Sequence, residues 1–312
     1  MILGLALAAG LGPPAREVRL LMGTTAEVWV RTLAHPETAI AAAFTRLALV
    51  DDQMSLWKPS ALTRLNQEGG GAPPPELLAV LRHALDVAAA SDGAFDPTVE
   101  PLVRAAGGLG DPPADLGEPE RRALLARVGY RRVHLDGDSV RFEPGTRLDF
   151  GGIAKGYAVD LALAALHEVG VGAALVDLGG SSIGVFGEPL TIDVRNPEAP
   201  EAEPWARFRV EGAHVATSGG DQKPGHILDP QTGLSVAKML SATVVADTGI
   251  EADALSTAVF VLGPEAGLAL LERRGAHGLV LARAGGAKVV RTTAGFADRY
   301  ALETAPGVRS AP

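Results

Sequence analysis

The sequence predicts an α+β fold, a single large domain of mixed, mainly antiparallel sheet with flanking helices. Three observations carry that reading. Segments with helical and with strand-like spacing follow one another irregularly rather than as strict βαβ repeats, which disfavours a doubly wound parallel sheet. Asp136-Gly137 stands between two short alternating runs and marks a hairpin, the unit of antiparallel pairing. The 312 residues, 47% hydrophobic and 21% charged, suit a soluble globular chain with a sizeable core.

The elements follow in order. MILGLALAAGLGPPA at the start is apolar and ends in small residues, yet lacks the positive start of a secretory signal. It is also shorter than the about 20 apolar residues of a membrane-spanning helix. Residues 1–20 are therefore expected to be a leader or poorly ordered, with the folded domain over 21–302. Gly10 stands where a lipoprotein would carry its cysteine, so no lipid anchor is expected. TAEVWVRT (25–32) alternates like a half-buried strand. The segment 35–55 reads as a helix with Pro36 and Glu37 in its first turn, where a missing N–H and a negative charge are both favourable. GGGAPPP (69–75) reads as a loop, and 76–93 as a second helix closed by Gly93.

The Gly/Pro-rich stretch from Ala105 to Pro119 reads as a long surface loop or a subdomain boundary. A short helix over 120–128 leads into paired strands over 131–143. Next come a helix over 155–169 and strands at 173–178, 190–194, 205–211, 213–217 and 240–246. Helices over 251–262 and 264–273 and strands over 277–283 and 287–293 close the domain. The tail 303–312 is expected to be mobile. No repeat recurs at a fixed period.

Charge and composition exclude several functions. The net charge is −9 and no run of Lys and Arg stands out, which argues against a nucleic-acid or anionic-membrane surface. A small phosphorylated ligand, needing only a local positive site, is not excluded. The absence of cysteine removes disulfides, thiolate catalysis and zinc–thiolate sites.

Several stretches carry more polar or permissive residues than a bland element needs. In LDFGGIAKGYAVD (148–160) the chain is expected to leave a strand through Asp149, loosen at Gly151 and Gly152, and enter a helix beside Lys155. A glycine pair allows close backbone approach, and a helix start with a lysine attracts an anion. The stretch reads equally as a phosphate site or as a plain strand-to-helix turn. MGTTAEV places Met22 and Gly23 at the entry to the first strand. Trp57, in MSLWKPS, is either a core anchor or a surface for stacking an aromatic ligand. GAFDPT (93–98) is either a capped turn or a grip on a heterocycle through the Asp96 carboxylate. His226 in HILDPQTG is either a proton acceptor near neutral pH or a hydrogen-bonded turn residue. Asp253 and Thr257 share a helix face at i, i+4 and are hard oxygen donors suited to Mg²⁺, although such a pair is also ordinary structure.

Together and in this order, MGTTAEV, MSLWKPSALTRLN, GAFDPTVEPLV, LDFGGIAKGYAVD, VATSGG, HILDPQTG and SATVVADTGIEADALSTAVFVLG resemble the ApbE family, the FAD:protein FMN transferases. The resemblance extends from Met22 to about Gly263 and implies an ApbE-like, T-fold-related domain. It implies an enzyme that cleaves FAD with Mg²⁺ and attaches FMN through its phosphate to a threonine of a partner redox protein, releasing AMP. Related readings are an FAD pyrophosphatase giving FMN and AMP, and a non-catalytic FAD-binding protein. By resemblance, Met22, Trp57, Ala94, Phe95, Asp96, Asp149, Lys155, His226 and Ile227 contact FAD. The Gly152 carbonyl, Asp253 and Thr257 would hold Mg²⁺, with Asp253 and His226 catalytic and His226 deprotonating the acceptor threonine. The resemblance also implies a place in or facing the periplasm, while the unconvincing export signal leaves the cytoplasm open.

Overall fold

The chain enters through a hairpin, β1 (Pro14–Leu21) and β2 (Thr24–Arg31), closed by the two-residue turn Met22-Gly23. Both turn residues have positive φ, 53° and 72°, the backbone twist that matches a tight antiparallel ribbon. This computed structural model describes residues 13–33, 35–110, 112–114, 116–196, 199, 202–219, 227–236, 239–284 and 287–311. Along β2, Ala26, Val28 and Val30 face one core cluster and Trp29 faces another. The alternation of one strand thus already shows that both faces of its sheet are covered.

Helices α1 (Pro36–Met54), α2 (Ala61–Glu68) and α3 (Pro75–Ala90) follow. Short α4 (Glu100–Ala105) and α5 (Glu118–Leu125) flank the Gly/Pro-rich loop. Gly70–Gly71 (β3) pairs with the hairpin β4 (Val133–Asp136) and β5 (Ser139–Phe142) in a small sheet. Helix α6 (Ala154–Glu168) leads to β6 (Ala173–Leu178), buried at every position, and β7 (Ser182–Phe186).

The remaining elements are β8 (Leu190–Val194), β9 (Ala206–Val210), β10 (Ala213–Gly219) and β11 (Met239–Ala246). Helices α7 (Gly249–Leu262) and α8 (Pro264–Arg274) precede β12 (His277–Ala284) and β13 (Ala287–Thr292). Helix α9 (Phe296–Tyr300), β14 (Glu303–Thr304) and β15 (Arg309–Ala311) end the chain.

The main sheet has nine strands in the order β1-β2-β6-β7-β10-β11-β12-β13-β15. All its pairings are antiparallel except β13 with β15. Residues of α1, α2, α3, α6, α7 and α8 form the larger core on one face. On the other face, β8 and β9 with Phe296 and Tyr300 of α9 enclose the second core. The predicted α+β class and antiparallel bias are borne out.

Several sequence expectations are corrected. Residues 14–20 of the expected leader belong to the edge strand β1 (Pro14–Leu21), whose mixed, mostly exposed residues hide the strand period. In the expected mobile tail, Glu303–Thr304 pair with β9 and Arg309–Ala311 with β13. No strand leads into Asp149. Arg147 makes only an isolated bridge with Val99, and the Asn66 amide holds the main chain of Leu148 on both sides. The β4–β5 turn falls at Gly137-Asp138, one residue beyond the expected pair. Helix α2, β7 and α9 are additional: each is too short for periodicity to reveal.

Candidate active site

Helix α6 begins at Ala154 with no side-chain cap from its own Ile153. Its Ala154 N–H donates to the Phe150 carbonyl at 2.9 Å, and the later N–H groups of the turn need acceptors from elsewhere. Asp253, in the second turn of α7, supplies one, its Oδ2 accepting from the Gly156 N–H at 2.9 Å. Asp253 is buried, and that burial holds its carboxyl above the usual carboxylate range, while Lys155, the Gly156 amide and the Ser182 hydroxyl draw it back. A buried carboxylate in this condition favours a cation that would offset its desolvation.

Thr257 lies one turn further along α7. A Cβ added to Gly152 would stand 2.9 Å from Thr257 Oγ1 and 3.3 Å from the Phe95 ring, so only glycine lets this turn approach. Ser218 Oγ, on β10, sits 2.8 Å from Ser256 Oγ and 3.3 Å from Thr257 Oγ1. Lys155 donates to the Ser181 hydroxyl, which itself donates to the Leu178 carbonyl, so the ammonium is held over the β6–β7 turn. The structure thus brings Gly152, Lys155, Asp253 and Thr257 together from parts of the chain about a hundred residues apart.

Asp149 lies beside them, its Oδ1 accepting from Gly151 N–H at 2.6 Å and its own N–H donating to the Pro97 carbonyl at 2.8 Å. Burial raises its pKa, with the Glu100 charge adding to the effect. Ala94, Phe95 and Asp96 are all buried. Asp96 Oδ1 accepts from the Thr98 N–H and hydroxyl, and Oδ2 from the Tyr130 N–H, so the carboxylate organises its own loop. Burial raises its pKa as well, against those donors. Met22 sits in the β1–β2 turn in a left-handed conformation that costs strain for a residue with a Cβ.

Trp57 is 65% exposed, so it is no core anchor. Leu56, Lys58 and Arg64 line an open cleft of about 720 Å³ next to it. His226 lies outside the described residues. Ile227, half-buried, begins the turn after it, where Asp229 accepts from the Gln231 N–H and the Thr232 hydroxyl. Gln231 donates to the Asp92 carbonyl, tying this turn to the loop of Phe95 and Asp96.

Among the described residues no three His, Cys, Asp or Glu side chains cluster as a ready-made metal cage. One carboxylate, one hydroxyl and one backbone carbonyl are nonetheless hard oxygens, and Mg²⁺ takes few protein ligands where phosphates and water complete its octahedron. The cradle at Gly152 and the buried Asp253 fit that donor set.

The sequence pattern of the ApbE family matches residues 22–280. The chain belongs to the ApbE family. It is similar to the FAD:protein FMN transferase of Treponema pallidum, 32% identical over 90% of this chain and 87% of that protein. It is also similar to the FAD:protein FMN transferase of Escherichia coli K12, 31% identical over 74% of this chain and 73% of that protein. Among solved structures, the ApbE flavin transferase of Vibrio cholerae superposes with a TM-score of 0.83 at 25% identity, covering 92% of this chain and 99% of that one. The apo flavinyl transferase ApbE of Pseudomonas stutzeri gives 0.80 at 29% identity, covering 94% of this chain and 98% of that one.

Sequence reasoning missed several supports of this ApbE site. Asn66, Ser181, Ser182, Ser218 and Asp160 all stand outside the residues that the sequence singles out. Ser218 in VATSGG and the serines after LGG had a signal, since hydroxyls cluster there beside glycines. Asn66 had none, because its partner Leu148 is 82 residues away.

Proposed function

We propose that this ApbE-family protein is a Mg²⁺-dependent FAD:protein FMN transferase that attaches FMN to a threonine of a partner redox protein. The observation that carries the reading is the convergence of Gly152, Lys155, Asp253 and Thr257 at the start of α6. The Lys155 ammonium at the positive end of the α6 dipole suits the FAD pyrophosphate. Asp253, the Thr257 hydroxyl and the Gly152 carbonyl would hold Mg²⁺, which when bound neutralises charge on the phosphoryl oxygens. Trp57, Met22 and Ile227 would flank the flavin.

His226 takes the proton of the acceptor threonine hydroxyl in this scheme. The threonine oxygen then bonds to the FMN phosphorus, the bond from that phosphorus to the bridging oxygen breaks, and AMP leaves with that oxygen. The test incubates the protein with FAD, Mg²⁺ and a candidate acceptor and weighs the acceptor by mass spectrometry. The expected result is acceptor bearing one FMN, with AMP released, and loss of about 10²–10⁴-fold in transfer rate for His226→Ala at unchanged FAD affinity. FMN and AMP with unmodified acceptor would instead make the protein an FAD pyrophosphatase, and FAD binding without cleavage would make it a flavin carrier.

A further inference from the structure

Asp160 closes the LDFGGIAKGYAVD stretch and takes no part in the ligand contacts above. Its Oδ1 accepts from the Gly249 N–H at 2.5 Å and its Oδ2 from the Ile250 N–H at 2.9 Å. These are the first two amides of α7, which has only the Thr248 hydroxyl, accepting from Glu251 N–H at 3.4 Å, as a cap of its own. At the other end of the same contact, Asp253 of α7 accepts from Gly156 of α6. Each helix therefore sets a carboxylate on the free first-turn amides of the other.

The spacing makes this a matched pair. Gly156 and Asp160 are one turn apart on α6, as Gly249 and Asp253 are on α7, and the two helices cross in opposite directions. No side chain separates them there. A Cβ on Gly156 would stand 2.0 Å from the Gly249 carbonyl oxygen, and one on Gly249 would stand 2.4 Å from the Gly156 carbonyl oxygen. His214 Nδ1 lies 3.1 Å from Asp160 Oδ1 and closes the remaining side of that carboxylate.

We infer that Asp160 is a positioning residue for the metal ligand Asp253, locking the start of α7 onto α6 so that Asp253 and Thr257 keep their place over the Gly152 turn. The inference rests on the proposed Mg²⁺-dependent transfer. Partners that orient metal ligands are worth about 10–100-fold in metal affinity or activity.

The test is Asp160→Asn, whose amide oxygen accepts one of the two N–H groups while its NH₂ opposes the other. The Mg²⁺ concentration for half-maximal FAD cleavage should rise about 10–100-fold. Mn²⁺ affinity, read by electron paramagnetic resonance of the free ion, should fall by the same factor, with KM for FAD changing far less. Gly249→Ala, which pushes the helices apart, should shift both readouts in the same direction and decides the matter if Asp160→Asn does not fold. Val290→Ala, a cavity in the opposite core, should lower the melting temperature and leave metal dependence alone. Wild-type Mg²⁺ dependence and Mn²⁺ affinity in folded Asp160→Asn or Gly249→Ala would overturn the inference. FAD cleavage by the wild-type protein that ignores added metal would overturn the proposed function instead.

Discussion

A single carboxylate, Asp253, caps α6 through one oxygen and stands one helical turn before Thr257, which meets the Gly152 turn, and its removal tests the site most directly. Asp253→Ala should abolish FAD turnover while the circular dichroism spectrum stays close to wild type; activity lost only in proportion to unfolding would make Asp253 structural. Thr257→Val should be milder, because a neutral hydroxyl contributes less to holding a divalent ion than a carboxylate. Lys155→Ala should weaken FAD binding by about 1.5–3 kcal/mol in calorimetry, the range for one charge-assisted hydrogen bond. At this scale the residue types and the i, i+4 spacing of Asp253 and Thr257 were legible as two hard oxygen donors on one helix face. The partners were not. Asp96 shows the difference, since its sequence context allowed a ligand grip and its actual donors are Thr98 and Tyr130.

Between elements, Glu251 at the start of α7 joins three helices. It accepts from Arg274 Nε of α8 at 2.7 Å and lies 2.7 Å from His83 Nε2 of α3, while Arg274 also reaches Asp86 of α3. Burial alone would raise the Glu251 carboxyl, but hydrogen bonds from His83 and Arg274 and their charges bring it down to about 2. A folded-state pKa below the ordinary value of about 4.3 means stability present above that value and lost as pH falls toward 2. Glu251→Gln should therefore cost about 1.5–3 kcal/mol in urea unfolding at pH 7, with the gap from wild type closing between about pH 4.3 and 2. A gap independent of pH would show that the cost comes from packing. Long elements were legible, α1 from the proline and glutamate of its first turn and α3 as a helical run before Gly93, although Pro75, read as loop, is its first residue. Helix α2 was missed despite its capping box, Ser60 with Thr63, because eight residues give too few turns to establish a period.

For the whole molecule, the sheet edge at β15 and the pairing of β14 with β9 come from a segment that composition marks as a loose tail. Deleting residues 303–312 should lower the melting temperature by several degrees, given that about 1 kcal/mol shifts a protein of this size by about 2–4 °C. FAD cleavage per folded molecule should stay near wild type, since the site is built on α6, α7, β7 and β10. Activity lost at temperatures where the truncated protein remains folded would show that the tail acts on the site. The sequence by itself determined the α+β class, most strand and helix spans, and which residues offer hard oxygens or a positive charge. These follow from residue type and from neighbours within about one helical turn or one pleat. Only the tertiary structure decided that both faces of β6 are buried, that Pro14–Leu21 forms an edge strand, and that Asp253 meets Gly156 across 97 residues of chain. A carboxylate's partner is set by where two helices cross, and that crossing is fixed by packing against a common sheet rather than by either helix's own sequence.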